Sequence, residues 1–175
     1  MPRARSICYA ETRIDAAPGA VMAALRDVGA YAAWRCPFTE RIDGAAGGAA
    51  LAPGALLTEH VRLSPGDAAT RLTVVRVTEC SEARLSWDSV ILCACLLHAT
   101  RTQTVELVAT AADEGSGAGA LARPHTLYTS EDVMTGLLAP LVLWLYGPAV
   151  RRGFEAVAAA LKAHVEAREA GADAV

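Results

Sequence analysis

The chain changes period beyond Gly136, and that change constrains its fold more than anything else in it. From there on the apolar residues recur at helical spacing. Leu138, Leu141, Val142 and Leu145 form one stripe, and Phe154, Val157, Ala158, Leu161 and Val165 continue it, with Arg151, Arg152, Glu155, Lys162 and Glu166 mostly on other faces. Gly147-Pro148 falls between the two stretches and predicts a kink or break, so the final helix is placed at Pro148 to about Arg168. At 1.5 Å per residue such a helix is roughly 30 Å long, enough to cross a whole sheet. It has one apolar face and must bury it against another layer.

What precedes it is mostly strands. Between Ile42 and Asp132, Gly, Pro and Asp breaks separate short alternating runs at Leu56 to Leu63, Arg71 to Glu79, Arg84 to Leu92, Leu97 to Thr110 and His125 to Val133. These predict an antiparallel meander with turns at Ser64 to Asp67, around Ser81-Glu82, and at Asp113 to Gly119, the most flexible stretch. Upstream, Ser6 to Asp15 alternates loosely and reads as a strand. Val21, Met22, Leu25 and Val28 then follow Pro18 at helical spacing, and Gly29 is expected to close that short helix. Tyr31, Trp34, Pro37 and Phe38 come next, in a loop rich in rings for a chain with only 5% aromatic residues. Rings concentrated there must cover something apolar.

The 175 residues, 53% of them hydrophobic, suffice for one well-buried core, so one domain is expected over 1–169 with a flexible tail at 170–175. A formal charge of −3 without any Lys/Arg block argues against nucleic acid as a partner. The apolar runs at Val90 to Leu97 and Leu137 to Val150 fall short of the roughly 20 residues that span a bilayer. The basic N-terminus leads into alternation instead of the apolar run of a signal peptide, and the expected location is cytoplasmic. Five scattered cysteines predict reduced thiols. In Cys93-x-Cys95-x-x-His98 the two thiols share one strand face and the histidine points to the other, which suits buried core thiols better than tetrahedral zinc. No metal and no cofactor is expected. There is no nucleophile elbow, Gly-rich phosphate loop or H-E-x-x-H helix, which removes nucleotide and metal-hydrolase chemistry.

Strand, short helix, meander and long C-terminal helix make a distinctive order. The segments Ile14-Asp15-Ala16-Ala17-Pro18, Trp34-Arg35-Cys36-Pro37-Phe38, Leu85-Ser86-Trp87, Ser130 to Val142 and Arg152-Gly153-Phe154-Glu155 fall along it in sequence. On these residues the chain resembles the START-like/Bet v 1-like (SRPBCC) superfamily, which includes polyketide cyclase/dehydrase-type domains. The resemblance implies an α+β helix-grip fold, a curved antiparallel sheet of six or seven strands wrapped around the long helix. It also implies a cavity between them for a small apolar ligand.

Wall candidates for that cavity are Trp34, Trp87, Arg101, Tyr128, Leu141, Leu145 and Phe154, each also accounted for by core packing or, for Arg101, by a wet strand face. Arg101 and Gln103 share a strand face and suit a ligand carboxylate or carbonyl. His60, Tyr128 and Asp132 are the candidates for acid–base work, with Glu131 and Asp132 on opposite faces of the last strand. Three functions remain open: binding or carriage of a hydrophobic ligand, a polyketide cyclase, aromatase or dehydratase reaction, and a chaperone-interaction module. The ligand and the oligomeric state stay open as well.

Overall fold

The structure is a computed structural model that describes residues 6–44, 51–63, 69–90, 95–108 and 125–172. Its strands are β1 (Ser6–Ile14), β2 (Thr39–Asp43), β3 (Leu56–Val61), β4 (Arg71–Cys80), β5 (Arg84–Val90), β6 (His98–Val108) and β7 (His125–Thr135). Helix α1 (Pro18–Arg26) and a 3₁₀ segment, Val28–Trp34, link β1 to β2, and α2 (Ala139–Ala172) closes the chain. Among the described residues the strands form one antiparallel sheet in the order β1-β7-β6-β5-β4-β3-β2. The meander from β2 to β7 pairs each strand with its successor, while β1 crosses to the far edge and pairs with β7. The sheet curls around α2 in a helix-grip fold.

Period-two alternation puts Leu57 and Glu59 of β3, Val75 and Val77 of β4, Leu85, Trp87 and Ser89 of β5, Ala99, Arg101, Gln103 and Val105 of β6, and Tyr128, Ser130 and Asp132 of β7 on the buried concave face. Helix α2 packs mainly across β1 and β7 through Phe154, Val157, Ala158, Leu161 and Val165. Its C-terminal half is tied to the end of β1, where Lys162 Nζ donates to the Arg13 carbonyl at 2.6 Å and the Asp15 amide donates to Glu166 Oε1 at 2.9 Å.

Several expectations are corrected. Gly147-Pro148 does not break the helix: α2 is continuous through Pro148 and spans 34 residues. The hydrogen bond that Pro148 cannot make would have reached the Trp144 carbonyl, and both residues are exposed, so the missing donor costs little on this side of the helix. The helix also continues to Ala172, into the stretch expected to be a tail. Helix α1 ends at Arg26, where the Asp27 amide bonds the Ala23 carbonyl, not at Gly29. The first part of the aromatic loop is the 3₁₀ segment, in which Tyr31 and Trp34 stack at 3.9 Å between ring centroids, and Pro37 and Phe38 follow it. Strand β2 was not anticipated, because five residues reading TERID carry too little alternation to stand out.

The thiol expectation divides. Cys93 lies outside the described residues, as do Ser64 to Asp67 and Asp113 to Gly119. Cys95 is exposed, because β5 ends at Val90 and the chain turns before β6, where the Cys95 and Leu96 carbonyls accept from the Leu137 and Leu138 amides. That contact also explains Gly136. Its φ is +110°, and a Cβ there would meet the Leu96 carbonyl oxygen at 2.5 Å. No helix among the described residues is long and apolar enough to cross a membrane.

Candidate functional site

Between the concave face of β3 to β7 and the N-terminal half of α2 lies a cavity of about 590 Å³. The sheet wraps closely where α2 crosses β1 and β7, and the opposite side of the concavity stays open beneath Val142, Tyr146, Val150 and Phe154. Phe38, Val75, Trp87, Ala99 and Met134 complete an apolar wall. Arg71 of β4 and Tyr146 of α2 meet at the rim, with the guanidinium 5.3 Å from the ring centroid.

One part of the wall is polar. Arg101 is buried with its guanidinium 4.2 Å from the Phe154 ring centroid and 5.6 Å from that of Trp87. Its Nε donates to Ser130 Oγ at 3.2 Å, and its Nη1 lies 3.7 Å from Glu59 Oε1. Asp132 stands beside Arg101 in the register of β6 and β7. Behind this group Tyr128 donates to Gln103 Oε1 at 2.7 Å, with both side chains fully buried. The Glu59 Oε1 and Arg101 Nη2 atoms are buried without a hydrogen-bond partner. A buried charge cluster with unmet bonds is expensive to maintain, and such clusters concentrate where a ligand or a proton is handled.

Electrostatics follow from that burial. Desolvation pushes the Asp132 carboxyl up to about 7; the Arg101 charge opposes the shift and the Glu59 charge adds to it. Glu59 is raised as well, by desolvation first, with Arg101 pulling the other way. Burial works against the charge on Arg101, but the negative ends of Tyr128, Glu59, Tyr31 and Asp132 outweigh it, so the guanidinium remains a cation. Burial likewise raises Tyr31 and Tyr128, which stay protonated phenols.

Of the sequence candidates, Trp87, Arg101, Asp132 and Phe154 line the cavity. Tyr128 is buried one layer behind it. Trp34 lies away from the cavity, stacked on Tyr31 and 5.7 Å from the His164 ring. His60 is on the outer face, where its Nε2 lies 2.7 Å from Asp43 Oδ2. Strand alternation gives the inward position to its neighbour Glu59, which the sequence reading passed over. Leu141 and Leu145 are about half exposed. The helix turns about 100° per residue, so Val142 and Tyr146 occupy the wall instead. Of Glu131 and Asp132, the aspartate faces inward. Among the described residues no cluster of His, Cys, Asp and Glu is placed to hold a metal ion.

The family described as polyketide cyclase / dehydrase and lipid transport matches residues 7–166. No curated protein matches the chain by sequence. Among solved structures, a hypothetical protein from Helicobacter pylori superposes with a TM-score of 0.66 at 15% identity, over 94% of this chain and 91% of that one. A Streptomyces aromatase/cyclase gives 0.63 at 16% identity over 94% of each chain. A START superfamily protein from Mycobacterium smegmatis gives 0.61 at 15% identity, over 93% of this chain and 98% of that one. At such identities the likeness is one of fold.

Proposed function

Since this chain belongs to the polyketide cyclase / dehydrase and lipid transport family, we propose that its cavity binds and carries a small, largely apolar molecule. The supporting observation is the cavity of about 590 Å³, walled by side chains such as Phe38, Val75, Trp87, Met134 and Phe154. Burying the body of a ligand there gains on the order of 25 cal/mol per Å² of apolar surface. The Arg101 cluster gives the ligand one orientation, because it gathers buried polar atoms at one place on a largely apolar wall. An environment-sensitive apolar dye should bind once per chain. Val142→Trp, on the wall, should block it, and Leu145→Trp, on the outer face, should not. Equal binding by both variants, with the fold intact by circular dichroism, would place the ligand elsewhere.

A second reading, catalysis of the cyclase or dehydratase kind, is favoured by Glu59, Arg101 and Asp132 meeting on one wall. In such a step Asp132 as carboxylate takes the proton beside a ligand carbonyl, and Arg101 stabilises the enolate oxygen that forms. The protonated carboxyl then returns that proton to a departing hydroxyl, which leaves as water while the electron pair closes the new double bond. Turnover of a β-hydroxy ketone that falls at least a hundredfold in Asp132→Asn, with ligand affinity retained, is the mark of this reading.

A further inference from the structure

We infer that the polar end of the cavity selects an uncharged ligand group, a hydroxyl or a carbonyl, over a free carboxylate. The inference rests on the cavity-binding reading and narrows the class of molecule bound.

It begins with the count of charges around Arg101. An arginine in an apolar pocket ordinarily suggests an anionic ligand, because its fork matches a carboxylate. Here two carboxyl groups of the protein already stand beside it. Glu59 Oε1 lies 3.7 Å from Arg101 Nη1, and Asp132 is the register partner of Arg101 on β7. All three residues line the cavity and are buried. The other cation on the wall, Arg71, is held over the Tyr146 ring. At a pH where Glu59 and Asp132 are both ionised, a carboxylate arriving beside Arg101 would therefore be a third negative group around one positive group, out of water, where like charges repel most strongly.

Hydrogen-bonding capacity points the same way. In the cluster the buried donor Arg101 Nη2 and the buried acceptor Glu59 Oε1 have no hydrogen-bond partner. A hydroxyl satisfies both, accepting from the guanidinium and donating to the carboxylate. A carbonyl takes the donor and leaves the acceptor as it was. A carboxylate has no proton to offer Glu59 and sets lone pairs against lone pairs. The flanking surfaces are the Trp87 and Phe154 rings, which hold the guanidinium in place and supply no charge of their own.

The test uses the full chain and three probes with matched alkyl chains, dodecanol, decyl methyl ketone and dodecanoate, each competing with the cavity dye at a pH above the Asp132 midpoint. Dodecanol and the ketone are expected to bind at least tenfold more tightly than dodecanoate. In Glu59→Gln and in Asp132→Asn, each removing one negative charge at nearly constant shape, dodecanoate should gain at least threefold while the ketone changes less than twofold. Dodecanoate binding as tightly as dodecanol in the wild type overturns the inference and leaves the cavity reading standing. An unchanged dodecanoate affinity in both variants overturns it too, since the two carboxylates would then not be its cause. If no probe displaces the dye, the cavity reading itself fails and takes the inference with it.

Discussion

Asp132 is buried beside a cation and yet titrates near neutrality, because the water it has lost outweighs the attraction of Arg101. That has a consequence for stability. The unfolded carboxyl titrates near 3.8 and the folded one near about 7, so folding favours the protonated form. The stability this confers is fully present below the unfolded value and is lost as pH rises through about 7, by on the order of 4 kcal/mol. Urea unfolding between about pH 5 and pH 8 should show the wild type weakening as pH rises, and Asp132→Asn weakening less. Equal slopes would mean that the carboxyl is hydrated in solution. At this scale the sequence identified Arg101 and Asp132 but chose His60 over Glu59. Alternation between Leu57 and Val61 already pointed Glu59 inward, and the chemical appeal of a histidine obscured it. Val142 and Tyr146 were hidden differently, because an apolar run from Leu137 to Val150 gives no polar side from which to read the rotation of a helix.

At the scale of elements, α2 is positioned by one close approach. Gly153 is buried where Phe38, just before β2, lays its ring on the helix, and a Cβ there would overlap that ring. Phe38 in turn meets Phe154 edge-on at 6.0 Å and forms part of the cavity wall. In Gly153→Ala the helix gains about 1 kcal/mol of propensity, and the displaced ring costs about 1–3 kcal/mol in overpacking. The displacement should win, because the ring is buried and held edge-on against Phe154. A net loss of stability is therefore expected, together with altered dye affinity from the shifted wall. The same substitution in a Phe38→Ala background should be neutral or stabilising, and identical effects in both backgrounds would show that the two residues do not touch in solution. The strands of the meander and the long helix were legible because each repeats its period over many residues. Strand β2 and the unbroken passage through Pro148 were not. One is too short to show a period, and the other depends on which side of the helix meets water.

For the molecule as a whole, the order of elements carried the fold, since a lone long helix preceded by a meander has few other ways to bury its face. The cavity could not be read in the same way. It exists because α2 packs mainly across β1 and β7, leaving the part of the concave face of β3 to β6 beneath the helix's N-terminal half unfilled. Its volume is a difference between large surfaces, and a shift of one residue in register or rotation would fill it or open it. A cavity of this size also means a fold that forgoes side-chain packing it has room for. Filling it with a side chain and filling it with a ligand should therefore compete. Ala99 is buried on the wall of β6 between Ser89 and Met134, and Ala99→Phe places a ring in that space. The variant is expected to gain about 0.5–2 kcal/mol of stability without ligand. The wild type should gain about 2.7 kcal/mol at a ligand concentration a hundredfold above its dissociation constant, and the variant almost none. Thermal unfolding with and without dodecanol measures both. A variant that is stabilised and still responds fully to the ligand would mean that the two occupy different places, and the assignment of this cavity would fall.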